Sequence, residues 1–242
     1  MTRRILAVAL LGTAVLALPA RAATDIDSLN LIGQASFRLL SEDLGATLSY
    51  KPLIPAEPLG ITGFDLGIEV NTTRLQNTAI FNTVVSGSSV ETLVLPKLHV
   101  HKGLPFGLDI GASYAAVPDS NIKVWGAEVR YAILKGGTAS PALAVRGSYS
   151  ALEGVDQLKL TTTGLDVSIS KGFAMFTPYA GIGKVWVRST PDASIPLLVE
   201  EDFDLNKVFV GVNMNLAVVN IAVEGDKTGD ATSYGVKFGW RF

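Results

Sequence analysis

His99 and His101 are the only histidines in the chain, and they stand two residues apart in a segment that alternates apolar and polar residues. Side chains at i and i+2 share one face of a strand, so the two imidazoles point the same way. A metal pair and a proton-sensitive gate are the two chemistries that such a pair offers. A metal needs a third ligand, and Asp109 on the following segment is the nearest candidate in sequence. His99 and His101 are therefore weak metal candidates, and neither metal nor cofactor is expected. Nucleophilic catalysis needs a base beside a Ser or a Cys. The chain has no Cys, and neither histidine has a Ser two residues away on its own face. The expectation is that the protein is not an enzyme, with a lipid-modifying activity as the least favoured of three readings. The remaining chemistry is charge. Glu128, Arg130, Arg146, Asp166, Lys184 and Arg188, with Trp186 between the last two, sit among apolar residues. If they line one interior path, the basic members and Trp186 would hold an anionic or aromatic solute.

Those residues need elements that alternate, and the segments from Gly45 onward do so. Phe64, Leu66, Ile68 and Val70 are separated by Asp65, Gly67, Glu69 and Asn71. Trp125, Ala127, Val129, Tyr131 and Ile133 oppose Gly126, Glu128 and Arg130, and Leu165, Val167 and Ile169 oppose Gly164, Asp166 and Ser168. For residues 179–188 the apolar phase is read as Tyr179, Gly181, Gly183, Val185 and Val187, against Lys184, Trp186 and Arg188. The polar phase elsewhere is rich in Gly, Ala and Ser, small enough to fill an interior. That favours a barrel over a sandwich, whose polar phase faces outward. Lys102-Gly103, Lys135-Gly136-Gly137 and Lys171-Gly172 are turn signals 33 and 36 residues apart, one hairpin pair per interval. Counting strands gives ten to twelve. Residues 46–53 are a weak strand candidate, and residues 76–86 read as either strand or helix.

The last strand is the clearest. Tyr234, Val236, Phe238, Trp240 and Phe242 alternate with Gly235, Lys237, Gly239 and Arg241, and the chain stops on the aromatic. This ending resembles that of the Gram-negative outer-membrane β-barrel proteins, in which the closing strand is the signal read by the barrel-assembly machinery. Thr177-Pro-Tyr-Ala-Gly-Ile-Gly183 resembles the T-P-Y-x-G-x-G strand of many small outer-membrane barrels. Leu95 to Gly111 resembles a family of uncharacterised proteobacterial outer-membrane proteins. The resemblance implies a transmembrane, antiparallel, up-and-down β-barrel with its C-terminus in the periplasm. It assigns no catalytic or ligand residue.

The N-terminus agrees. Arg3 and Arg4 precede the apolar run Ile5–Leu18, and Pro19-Ala20-Arg21-Ala22 offers a small-x-small cleavage site. Residues 1–22 read as a signal peptide. Its removal takes Arg3, Arg4 and Arg21, so Lys+Arg falls from 20 to 17 against 22 Asp+Glu, a net of −5. That balance excludes a strongly basic nucleic-acid binder. Without Cys the chain is neither a disulfide scaffold nor an acylated lipoprotein. Residues 23–43 read as a short helix, with Asp25, Asp27 and Ser28 as caps and Leu29, Ile32, Leu40 and Leu44 at helical spacing. Residues 44–242 read as the barrel. The expected partners are outer-membrane lipids, the secretion and assembly machineries, and a small solute of unknown identity. Two principal readings follow: a narrow channel or transporter for a small or hydrophobic solute, with the helix as plug, or a closed structural barrel.

Overall fold

The computed structural model describes residues 25–87, 89–137 and 139–242. The signal-peptide reading falls on residues 1–22, outside that range. Ten antiparallel strands form one closed barrel. They are β1 (Phe64–Arg74), β2 (Thr92–Gly103), β3 (Leu108–Ala116), β4 (Lys123–Lys135), β5 (Ala142–Glu153), β6 (Leu158–Ser170), β7 (Phe176–Pro191), β8 (Glu201–Leu216), β9 (Val219–Thr228) and β10 (Ala231–Arg241). Each pairs with its sequence neighbours, and β10 closes onto β1 in the register Asp65↔Arg241 to Arg74↔Thr232. Phe64 and Phe242 exchange both backbone hydrogen bonds, at 2.7 and 3.0 Å. Closure leaves no strand edge unpaired, which is what an apolar solvent demands of a backbone.

The pleat sorts the side chains. Leu98, Val210 and Val236 are 60%, 64% and 54% exposed on the outer wall, while Asp65, Glu69, His99, His101, Asp109 and Lys237 are buried inside. An apolar surface running round the whole barrel has no place in water. It is the lipid face of a transmembrane barrel. Tyr114, Trp125, Tyr149 and Tyr234 lie on that face toward one end, and Phe64, Phe106, Phe173, Phe176, Trp240 and Phe242 toward the other. The second, or turn, end holds the short connections 104–107, 136–141, 171–175 and 217–218. The first, or loop, end holds connections 75–91, 117–122, 154–157, 192–200 and 229–230.

Neither ambiguous segment contributes a barrel strand, although Val85–Ser86 at the end of the second pairs with Asp25–Ile26. Residues 78–84 form helix α2 (Thr78–Val84) in a loop, and residues 46–53 include the last turn of helix α1 (Gln34–Leu48). The helix is displaced from the expected 23–43. Leu29–Leu31 makes only a 3-10 turn, and Gly33, in extended backbone, precedes the helix proper. Gly45 does not stop it, because a Cβ there would stand 2.6 Å from Val187 Cγ2. The glycine is where the helix touches the wall. The helix ends where the Lys51 ammonium reaches the carbonyls of Ala46 (2.5 Å) and Thr47 (3.4 Å), a cation on the negative end of the helix dipole. The barrel accordingly starts at Phe64 and not at residue 44.

Helix α1 lies inside the barrel at the loop end. Phe37, Leu40, Leu44 and Leu48 recur at three- and four-residue spacing and are buried against Leu93, Leu95, Leu152, Leu160, Val185, Val187 and Phe203 of the wall. Each such side chain contributes about 1.5–3 kcal/mol. This half of the lumen is a protein core of ordinary kind. It also corrects the phase read for β7. Tyr179, Val185 and Val187 point inward, and Lys184, Trp186 and Arg188 point outward, 43%, 41% and 62% exposed. In the loop-end half the interior is apolar, so the apolar phase of β7 belongs to the lumen. Gly181 shares that inward phase, and a Cβ on it would meet Phe209 Cζ at 2.3 Å and the Val167 carbonyl at 2.7 Å. Gly181→Val should therefore destabilise the barrel by about 1–3 kcal/mol through overpacking. The check is a lower urea midpoint for the heat-modifiable gel shift of refolded protein, compared with an unchanged midpoint for Ile182→Val on the lipid face.

Candidate functional site

The candidate site is the lumen, and an extended segment of the chain fills it. After α1, residues 49–62 run from the middle of the barrel to the turn end, where β1 begins. Pro52, Pro55 and Pro58 punctuate this stretch. Proline has no N–H, so the segment brings few backbone donors into a space short of water. Its carbonyls are taken by cations from the wall. Lys207 Nζ donates to Tyr50 O at 2.8 Å, and Lys97 Nζ donates to Lys51 O. Arg130 donates to Pro55 O at 2.6 Å and to Glu57 O at 3.4 Å, and Arg241 reaches Glu57 O at 3.3 Å. One wall acid, Asp109, accepts from the Leu59 N–H at 3.2 Å.

The same wall groups pair with each other. Lys97 meets Glu69 at 2.5 Å, Lys237 meets Asp65 at 2.9 Å, Arg130 meets Asp109 at 2.6 Å, and Arg146 meets Asp166 at 2.9 Å and Glu128 at 3.6 Å. Strand register explains several of these. Glu69 lies opposite Lys97 across β1–β2, Asp109 opposite Arg130 across β3–β4, and Arg146 opposite Asp166 across β5–β6. Burying such charges is tolerable only because every one is matched.

Of the residues singled out from sequence, Glu128, Arg130, Arg146 and Asp166 are together inside the lumen. Lys184, Trp186 and Arg188 are not with them. On the outer wall Lys184 pairs with Asp204 at 2.8 Å, and Arg188 pairs with Asp202 at 2.9 Å. Tyr234, Val236 and Trp240 of the closing strand face outward with Phe242 exposed beyond them. His99 and His101 do share the inner face, with ring centroids 5.2 Å apart. Asp109 is not their partner, since Arg130 holds it. The carboxylates beside His99 come from β1: Asp65 lies 2.9 Å from Nε2 and Glu69 2.8 Å from Nδ1, because Gly67 stands opposite His99 and its flanking acids point inward. His101 Nε2 lies 3.3 Å from the Tyr50 hydroxyl of the inner segment and 3.4 Å from Glu128. Asp65, His99 and His101 bring one ligand atom each within 4.8 Å of one another. Lys237 and Lys97 already hold the two carboxylates, and a divalent cation there would face two ammonium groups. The set reads as paired charge.

Sequence reasoning missed the inner segment carrying Tyr50 and Lys51, and with it Lys97 and Lys207 as its wall contacts. The signal was present in Lys51-Pro-Leu-Ile-Pro-Ala-Glu-Pro58, since three prolines in eight residues exclude an interior strand. A small cavity of about 30 Å³ lies between the segment and the wall, lined by Tyr50, Lys97, Ser113 and Ser150. At its other end the segment is stitched to the loops. Asp25–Ile26 pairs with Val85–Ser86, Asn121 bonds both residues, and the Asp43 carboxylate accepts from the N–H groups of Gln76 (3.0 Å) and Asn77 (2.7 Å).

No family model and no curated protein matches the chain. Among solved structures it is similar to the β domain of the Bordetella autotransporter BrkA, at 12% identity over 74% of this chain and 100% of that one, with a TM-score of 0.44. It is also similar to OprG from Pseudomonas aeruginosa (12%, 78% and 99%, 0.37) and to the KdgM porin solved with disordered oligogalacturonate (9%, 75% and 99%, 0.37). Likeness at that level carries no argument about activity. The closed barrel with its lipid face and charged interior is an architecture of the bacterial outer membrane.

Arg130 tests the matched lumen most directly. Arg130→Met strands Asp109 and frees the carbonyls of Pro55 and Glu57, and should cost about 3–5 kcal/mol. Asp109→Asn combined with Arg130→Met should cost less than the two single changes added together, by urea titration of the folded gel band. Strict additivity would mean that the pair is not coupled.

Proposed function

We propose that the protein is a plugged transport barrel of the outer membrane, shut in the state described, with residues 25–62 as its gate. The observation that carries this reading is the inner segment itself. It spans the lumen from the loops to the turn end, is buried against the wall from Leu40 to Ala56, and is held there by noncovalent contacts. A small solute crosses only when that segment shifts. The wall beneath it is polar throughout its lower half, with Glu128, Arg130, Arg146 and Asp166 as the groups that a solute would then meet. Export through a cleaved signal peptide of residues 1–22, and recognition of the strand ending in Phe242 by the assembly machinery, belong to the same reading.

A permanently closed structural barrel is the second reading. The apolar core formed by Phe37, Leu40 and Leu44 with the wall favours it, because a gate must give up that burial to move.

The chain has no cysteine, so a reversible lock is straightforward. Ser41 Oγ and Ser189 Oγ lie 2.8 Å apart, one on α1 and one on β7. Intact protein in a planar bilayer should be silent. A loosened variant, Phe37→Ala with Leu44→Ala, gives up about 2–5 kcal/mol at each site and should show intermittent conductance. Adding Ser41→Cys and Ser189→Cys to that variant should silence it when oxidised and restore the openings on reduction. Silence from a loosened variant that is demonstrably folded and inserted would leave the structural barrel as the function.

A further inference from the structure

The two ends of the barrel carry opposite charge. All five loop-end connections contain an acid and no Lys or Arg: Glu91, Asp119, Asp156, Asp192 with Glu200, and Asp230. The four turn-end connections contain no Asp or Glu; Lys171 lies in one, Lys135 directly precedes another and Lys102 precedes a third by one glycine, whereas the loop-end acids stand beside the flanking bases Arg74 and Lys123. The three lysines occupy successive turns along one arc of the rim. Lys135 leans on the turn before its own, its Cε within 3.3 Å of where a Cβ on Gly107 would stand. Lys171 likewise reaches back, donating to Gly137 O at 2.8 Å and Ser140 O at 3.3 Å. Lys102 Nζ donates to Ile61 O and sits 4.3 Å above the Phe64 ring. The Lys102 and Lys171 ammonium groups are thus positioned by backbone and ring, and together with Lys135 they bring three cationic side chains to the rim.

Phe106 adds an independent sign. Its backbone is left-handed (φ 65°, ψ 15°), which is costly for a bulky residue, and its side chain is 84% exposed. The left-handed turn is closed by the Leu104 N–H donating to Leu108 O at 2.7 Å, and the equivalent position in two other turns is a small alanine, Ala174 or Ala217, so the exposed ring is what sets Phe106 apart. At the level of lipid headgroups an aromatic ring is favourably placed. Phe173, 59% exposed on the third turn of the arc, presents a second ring at the same rim.

We propose that this arc is a binding site for anionic phospholipid headgroups, with Lys102, Lys135 and Lys171 on the phosphate and Phe106 and Phe173 seated beside the glycerol and upper acyl region. Charge complementarity selects a lipid with net negative charge over a zwitterionic one. The acidic loops leave the opposite end without such a site, so the arc also sets which leaflet the turn end prefers. Neither point depends on whether the inner segment gates.

The full mature chain is refolded into vesicles of equal parts phosphatidylcholine and phosphatidylglycerol, and the lipid that stays with the protein after gentle detergent extraction is quantified by native mass spectrometry. The ratio of phosphatidylglycerol to phosphatidylcholine retained by the protein should be several-fold above the one-to-one ratio of the vesicle. The enrichment should fall to the bulk ratio in K102Q/K135Q/K171Q and be unchanged in K159Q/K184Q, which alters two lysines away from the arc. If the triple variant does not insert, the unmodified protein decides through salt: enrichment should fade as ionic strength rises to about 1 M. Equal retention of the two lipids by the unmodified protein, enrichment that survives in the folded triple variant, or enrichment indifferent to salt would each overturn the proposal.

Discussion

A closed barrel confines the polar side of its pleat. Half of each strand's residues point into a space that water enters only through the ends, and every donor, acceptor and charge there must find a partner. This protein meets that constraint from two sources. Wall charges pair across adjacent strands, as Lys97 with Glu69 and Arg130 with Asp109. The same cations then spend their remaining hydrogens on the carbonyls of a proline-rich segment. Removing that segment would leave the wall's acid–base pairs in place and take away the carbonyl partners of Lys97, Lys207, Arg130 and Arg241.

The lumen is consequently two environments stacked along one axis. At the loop end α1 supplies Phe37, Leu40, Leu44 and Leu48, and the wall answers with leucine and valine. At the turn end the chain is extended, and the wall answers with lysine, arginine and aspartate. The boundary falls near Tyr50, whose hydroxyl meets His101 and whose carbonyl meets Lys207. An interior that changes polarity along its length changes what alternation means, since the same wall strand is apolar inward at one height and polar inward at another. The outer wall changes too: β7 and β8, sixteen residues each, run from apolar Ile182 and Val208 to charged Arg188 and Asp202.

That change of meaning explains which parts of the site were legible. The strands β1, β2, β4, β5, β6 and β10 each carry charge or glycine on one phase and large apolar residues on the other, so their facing could be read from alternation alone. Strand β7 carries valine on one phase and Lys184, Trp186 and Arg188 on the other, a pattern that fits two opposite placements. Choosing between them needs the knowledge that α1 lies inside, which no local window contains. The helix boundary failed for a related reason. Gly45 has the composition of a stop, yet it serves as a contact point against Val187, and only the neighbouring element distinguishes the two uses. The histidine partners were misassigned because Asp109 is near in sequence, whereas Asp65 and Glu69 are near in register.

The sequence by itself determined that the chain forms a membrane barrel. Period-two alternation, small residues on the polar phase and an aromatic final strand are properties of single segments, and each strand's relation to lipid is local. It also bounded the strand number and marked the turns. Only the tertiary structure decided that residues 40–56 lie inside, that they fill the lumen, and which charges meet. Those outcomes depend on which strand stands beside which and on how much volume ten strands enclose. Pairing register and enclosed volume are properties of the closed ring, and no segment carries them alone.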